Sequence, residues 1–378
     1  MFKRFITLIG ISLLALPLLA QDAPLNFIDG QAGPIRMTYP DTWQLLPAPN
    51  GVVILTNFQN DDIGEAESLP DDAIVGQLQL LGLPRVAGLS AEEQSAFNIL
   101  GGLIASQLAQ GEAPPPTGEI SRPTYTFARA DIGTESTDAV AYAVILSDAT
   151  FGIFTFSSQQ GGLLAEQEAT ILTMLDTIEL VVDVAFTEDV QVRYDAYAQG
   201  VTDAGFPRLG RADAPVTVEV ITSFDCPACR TFHETVLPTL LPRINAGDVQ
   251  VVTVPIYGTG SYPNGDTAAR AALCVGADAF WGYSDTLFSW QEQYSGFAYM
   301  YERLQQAAQG LVDLAPEAFN DCFVSAQTTQ TLQNAIDVAV AQLGDQVATP
   351  SVIVNGAPVP ADSQSINAVI DNVLAGQE

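Results

Sequence analysis

The sequence predicts two units of different class, an α+β N-terminal half and an α/β C-terminal half. Three observations carry this. The first half runs strands, helix, strands, helix, the pattern of an antiparallel sheet covered by helices. The second half opens on a β-branched run, Val216 to Ser223, that leads into Cys226-Pro227-Ala228-Cys229 and a helical pattern; it continues as βαβ, a helical insertion and ββα. Finally, 378 residues at 48% hydrophobic content suffice for two cored domains.

Residues 1–20 read as a secretory signal peptide. Lys3 and Arg4 form a positive start, Phe5 to Leu19 an apolar stretch, and Ala20 a small residue before a cut at Gln21. An N-terminal membrane anchor is the alternative, against which the short apolar run argues. Either way the body of the chain is expected outside the cytoplasm (periplasmic, cell-surface or secreted), where disulfides persist.

Residues 24–182 form the α+β unit. Ile35 to Pro40 and Val52 to Thr56 are strand-like, with turns at Asp41-Thr42-Trp43 and Pro49-Asn50-Gly51. Val75 to Leu83 is a further strand. Ser90 and Glu93 make a capping box for a helix reaching about Gln110, which Pro114-Pro115-Pro116 ends. Thr124 to Ala130, Ala139 to Leu146 and Phe151 to Ser157 are short strands, and a helix runs from Leu163 to Ile178. Tyr39-Pro40-Asp41-Thr42-Trp43, with the segment Ile171 to Ile178, resembles the PsbP-like sandwich domains. No cysteine, histidine or paired acids suggest chemistry here. This half therefore reads as a recognition or interaction module, with Tyr39 and Trp43 in its core.

Residues 183–212 read as a linker rich in Gly and Pro, with Val190 to Gln199 compatible with a helix. Residues 213–378 form the second domain. The helix after Cys226 is expected to continue through Leu240, followed by a strand over Val251 to Ile256. Residues 264–343 are the helical insertion. Strand, turn and strand follow from Thr349 to Ala357, with a closing helix over Ser363 to Leu374.

The net charge of −31 reflects scarce bases, since only 15% of residues are charged and the single lysine is Lys3. A chain whose remaining cations are arginines repels nucleic acid and anionic lipid, so a nucleic-acid partner is excluded. Salt adaptation would call for more acids than these.

A thiol at a helix start is favoured as the thiolate by exposed N–H groups and the helix dipole. The thiolate is the nucleophile of disulfide exchange. Leu209-Gly210, Asp213-Ala214-Pro215-Val216, Phe224-Asp225-Cys226-Pro227-Ala228-Cys229 and Ala348-Thr349-Pro350 together resemble the DsbA-like thioredoxin family, over about residues 205–375. The resemblance implies a thioredoxin fold with a helical insertion, a protein thiol–disulfide oxidoreductase activity and no cofactor. It also implies that Pro350 is a cis-proline facing the disulfide, with Thr349 beside the sulfurs; an ordinary trans proline opening a strand is the alternative.

Cys226 is then the exposed, attacking or attacked sulfur and Cys229 the buried resolving thiol. Pro227 sets the first turn. Ala228 brings no side-chain donor, which argues for a milder oxidant than relatives with His there. Asp225 either caps the helix, the preferred reading, or opposes the thiolate. Relatives place a buried acid six residues before the first cysteine. Here the only strand acid, Glu219, lies seven before it, on the other face; either the strand register differs or this proton acceptor is absent, which leaves the deprotonation route of Cys229 in doubt.

A zinc site would need Cys274, Cys322 or His233 beside the CxxC, and strand–CxxC–helix with a downstream Thr-Pro argues against a metal. If Cys226 and Cys229 pair locally, Cys274 and Cys322 remain for a structural disulfide; two buried free thiols or a redox relay are the alternatives. His233, the only histidine, reads as a helix-surface or contact residue.

The implied function is exchange of a Cys226–Cys229 dithiol/disulfide with secreted protein clients, as a dithiol oxidase. It needs a redox-recycling partner, which a membrane could hold. A reductase or isomerase is the same chemistry with another partner. A client-binding, chaperone-like protein with a structural CxxC bridge is the alternative of a different class; it would bury both sulfurs.

Overall fold

Period-two alternation sorts the N-terminal strands onto two faces. Phe127, Val140, Tyr142, Val144, Phe154 and Phe156 point to one core, and Ala128, Ala130, Ala141, Ala143 and Phe151 to another. The computed structural model describes residues 25–48, 51–58, 70, 72–82, 95–108, 114–115, 117–185, 194–344 and 346–376. The expected leader, the Ser90/Glu93 capping box, Pro49-Asn50 and Val190 to Arg193 lie outside them; Asp195 to Gln199, expected to be compatible with a helix, is turn leading into strand.

The N-terminal strands are β1 (Phe27–Ala32), β2 (Ile35–Pro40), β3 (Gln44–Ala48), β4 (Val52–Thr56), β5 (Val75–Gly82), β6 (Thr117–Ser121), β7 (Thr126–Asp131), β8 (Thr137–Ile145), β9 (Thr150–Gln159) and β10 (Glu179–Leu180). They form antiparallel sheets ordered β3-β4-β5-β9-β8-β7-β6 and β1-β2-β10. Helix α1 (Ala96–Gln107) packs on the alanine face, where short side chains admit a helix. Its cap is Ser95, whose hydroxyl accepts the Asn98 N–H. Helix α2 (Leu164–Leu175) covers the aromatic face with Ile171, Met174 and Leu175. Trp43 is buried in that core.

The C-terminal sheet has the order β11-β12-β14-β13-β15-β16. Its strands are β11 (Gln199–Val201), β12 (Pro207–Leu209), β13 (Val216–Ser223), β14 (Val249–Ile256), β15 (Ser351–Val354) and β16 (Ala357–Val359). Strand β13 pairs parallel with β14 and antiparallel with β15, which gives the βαβ and ββα halves of a thioredoxin fold. Two strands of this sheet, β11 and β12, come from the segment expected to be a linker. Gly205 at φ +83° makes the turn between them, so the glycines there mark a hairpin rather than loose chain.

The helix after the CxxC is shorter than expected. Helix α3 (Pro227–Thr235) ends at Val236, and α4 (Leu237–Ala246) begins a new turn. Pro238, lacking an N–H, can sit in the first turn of a helix but not continue one. The insertion is α5 (Gly265–Cys274), α6 (Ala277–Tyr294), α7 (Tyr301–Val312), α8 (Pro316–Phe323) and α9 (Ala326–Leu343), and α10 (Ser363–Ala375) closes the domain. Helix α9 packs Ala335 and Ala339 on one sheet face; α3 to α6 and α10 build the core on the other.

The two halves touch through the insertion. Phe297 and Met300, between α6 and α7, are buried in the N-terminal core. The Glu302 carboxylate accepts from the hydroxyls of Ser147 and Thr150. Arg303 is 1% exposed, lies 3.7 Å from the Tyr294 ring centre and donates to the Asp183 carbonyl at 2.8 Å.

Candidate active site

Strand β13 ends at Ser223, and Phe224-Asp225 turn the chain so that Cys226 becomes the residue preceding α3, with extended backbone at φ −99° and ψ 118°. Its carbonyl accepts the N–H groups of Cys229 and Arg230. Pro227 fills the first helical position, where its missing N–H costs nothing. Pro227 and Ala228 are exposed.

Cys229, one turn on, is completely buried. Its sulfur accepts the Ser223 N–H at 3.4 Å. The Thr349–Pro350 peptide is cis. The Cys226 thiol lies 3.4 Å from the Thr349 carbonyl, and the Thr349 hydroxyl is 2.7 Å from that of Thr259. Cys226, Cys229, Thr349 and Pro350 therefore meet at one end of the sheet.

Cys226 is not exposed as the sequence suggested; it is 5% exposed. The loop after β14 folds over it. A Cβ on Gly260 would sit 1.8 Å from the Asp225 carbonyl oxygen and 2.5 Å from the Cys226 nitrogen, so only glycine allows this approach. The Asp225 carbonyl accepts the N–H groups of Ser261 and Tyr262.

Asp225 does not cap the helix. Its carboxylate accepts from the Ser223 hydroxyl at 2.5 Å and the Gly258 N–H at 2.6 Å, which ties the strand end to the covering loop. Those bonds turn it into a loop clamp. Beside it, Gln291 and Tyr299 of the insertion each donate to the Phe224 carbonyl at 2.6 Å.

The two thiols are driven apart electrostatically. A hydrogen bond from the Cys229 thiol, working against burial, holds Cys226 down at about 5, helped by the Thr349 hydroxyl and the N–H groups of Cys229 and Ala228. Ala228 thus contributes a donor through its backbone. Burial, and the same bond donated to Cys226, push Cys229 far up, with the Thr222 hydroxyl pulling weakly the other way. One sulfur is a ready thiolate and the other a held thiol, the division of labour exchange requires.

Glu219 points away from the cysteines and accepts from Gln342 of α9 at 3.1 Å. Val220, six residues before Cys226, lines the Cys229 side instead. His233 is not on the surface: its side chain is 11% exposed, Nε2 pairs with the Asp285 carboxylate, and the ring lies on Phe288. Cys274 and Cys322 are bonded to each other, with Cα atoms 5.7 Å apart, and so join α5 to α8. Among the described residues no cluster of His, Cys, Asp or Glu assembles around the CxxC.

Sequence reasoning did not single out Thr222, Thr259, Gln291 or Tyr299. Thr222 was accessible in principle, since it alternates with Val220 and Phe224 on the helix-facing side of β13. The others come from remote elements with no local signal.

A family model described as Thioredoxin matches residues 203–372. The chain is 33% identical over 170 residues to the probable disulfide bond formation protein D of Bacillus anthracis, covering 44% of this chain and 77% of that protein. It is 28% identical over 191 residues to disulfide bond formation protein D of Bacillus subtilis, covering 48% and 83%. The crystal structure of oxidised BdbD from Bacillus subtilis aligns with a TM-score of 0.42 and 26% identity, over 47% of this chain and 98% of that one. Through its C-terminal half, this chain belongs to the DsbA-like thioredoxin family and is a protein thiol–disulfide oxidoreductase.

Proposed function

We propose that the protein is an extracytoplasmic dithiol oxidase. The observation that carries this reading is Cys226 at the start of α3, beside the cis Thr349–Pro350 peptide and one turn before the completely buried Cys229, an arrangement that holds the Cys226 thiol down at about 5. Stabilising the thiolate stabilises the reduced enzyme, and a disulfide whose reduced form is stabilised is a strong oxidant. Asp225, engaged by Ser223 and Gly258, no longer argues for a weak one. The leader-like residues 1–20 and the Cys274–Cys322 bridge fit an oxidising compartment.

A client thiolate attacks the Cys226 sulfur of the oxidised enzyme, the Cys226–Cys229 bond breaks, and Cys229 leaves. The client's second thiol then attacks the mixed disulfide and releases Cys226 as the thiolate. Each client disulfide leaves two electrons on the enzyme, so a recycling partner must remove them.

The N-terminal half is the docking module in this reading. A cleft of about 910 Å³ lies between β1–β3 and the insertion, and Ser261 and Tyr262 of the loop over Cys226 form part of its wall. An extended client segment reaching Cys226 would lie there.

Burial of both sulfurs fits a structural bridge equally well, but the opposed thiols do not, because a bridge has no use for a stabilised thiolate. With a reduced peptide carrying two cysteines, oxidation is expected from the wild type and none from Cys226→Ser. Cys229→Ser should accumulate mixed disulfides with clients. A reduction potential well above the roughly −270 mV of thioredoxin is expected; a value near it makes the protein a reductase. Exchange persisting in Cys226→Ser would refute the site.

A further inference from the structure

We propose that His233 exchanges the proton of Cys229 through a single water held in the cavity that both residues line. The proposal rests on the exchange reading above and gives Cys229 the proton partner that reading lacks.

The cavity measures about 20 Å³ and lies between the end of β13, α3 and α6. That is room for one water. A water needs two to four polar partners. The cavity walls include Cys229, His233, Thr222, Ser284 and Trp281. Trp281 is 2% exposed, yet its indole N–H has no partner among the described residues; a water there would supply one. The orphaned donor belongs to a residue that lines the cavity, and the cavity's size suits one water.

The proton need is real. Cys229 is completely buried, its thiol is pushed far up by burial, and no carboxylate lines the cavity, since Glu219 is on the opposite sheet face and Val220 takes its place. Of the cavity residues, His233 alone carries an imidazole, which can both accept and donate a proton. Asp285 of α6 engages Nε2, and Tyr194, from the segment before β11, donates to the same carboxylate. With Nε2–H donated to Asp285, Nδ1 is the basic nitrogen of the ring. Asp285 and Tyr194 are linked at the imidazole, Cys229 lines the same cavity, and Arg230 and Glu234 are charged neighbours on α3, paired with each other.

When a client thiolate attacks Cys226, the Cys226–Cys229 bond breaks and the Cys226–client bond forms. The departing Cys229 thiolate takes a proton from the water, which takes one from the imidazolium. In the reverse direction the Cys229 thiol gives its proton to the water and thence to Nδ1, and the thiolate expels the client from Cys226. His233 is a positioning residue for that proton and does not touch the reacting sulfurs.

The test uses the full reduced chain and an aromatic disulfide that releases a coloured thiolate. The first release reports attack by Cys226, the second reports resolution by Cys229. In His233→Gln the first release is expected unchanged and the second slower by on the order of 100-fold, without its wild-type dependence on pH. A merely structural histidine would leave the pH profile of the second release intact. Because His233 is the only histidine, its titration can be read by NMR in the wild type even if the variant does not fold. That titration should move between the oxidised and reduced protein. An unchanged second release in folded His233→Gln, or an identical imidazole titration in both redox states, overturns the relay. Absence of the first release in the wild type overturns the exchange reading itself.

Discussion

At the scale of single residues, the site depends on how Cys226 is held. Its thiol sits at about 5 because Cys229, Thr349 and the first backbone N–H groups of α3 donate to the thiolate. Thiolate absorbance of the reduced protein should therefore grow through about pH 5 with the amplitude of one sulfur, and alkylation of Cys226 should follow it. A second sulfur should stay protonated through neutral pH, because burial holds Cys229 up. The sign for stability follows from the same shift. The Cys226 value falls on folding, so its contribution is fully present above about 9, the unfolded thiol's value, and is lost as pH falls through about 5. Denaturant titrations of the reduced protein across that window should show it, and the oxidised protein should lack this dependence.

Asp225 is the residue whose importance is least apparent from its chemistry. Its side chain joins the Ser223 hydroxyl to the Gly258 N–H. Asp225→Ala should cost about 3 kcal/mol, since both donors are left without their acceptor, and should speed alkylation of Cys226 by loosening the loop above it. Unchanged stability and alkylation would mean that the clamp is dispensable.

At the scale of elements, the insertion is a braced lid. Helices α5 and α8 are bridged by Cys274–Cys322, 48 residues apart. Replacing both by serine should lower stability by about 4 kcal/mol, the chain entropy of a loop of this length. Calorimetry would measure the loss. Dithiol exchange at Cys226 should survive in the folded fraction, because neither bridge sulfur lies beside the CxxC. Loss of exchange in folded protein would favour a relay role for the pair.

At the scale of the whole molecule, the lid also fastens the two halves. Phe297 is 7% exposed and packs in the N-terminal core although it belongs to the insertion. A Cβ on Gly33 would come within 2.7 Å of its ring, so the fit is close. Phe297→Ala should cost about 3 kcal/mol and separate unfolding into two transitions by calorimetry. A single transition at the wild-type temperature would show that the halves are held elsewhere.

Much of this architecture is legible along the chain. The alternation of Phe127 with Ala128 and of Tyr142 with Ala143 specifies strands, and β13 followed by CxxC specifies a helix start, because both are local periodicities. The break at Pro238 is equally local, since proline can open a helix but not continue one. The hairpin Gln199–Leu209 was hidden, since its strands are three residues each and take their pairing from β14. By itself, then, the sequence determined the two fold classes and the cysteine pair at a helix start, while the Thr-Pro opposite it comes from a family resemblance and the acid beneath Cys229 stays open. Tertiary structure alone decided that a loop covers Cys226, that Asp225 clamps instead of capping, and that His233 faces Asp285 and the Cys229 cavity. The reason is physical: periodicity and capping are read from neighbours in sequence, whereas burial and charge pairing depend on side chains that only packing brings together.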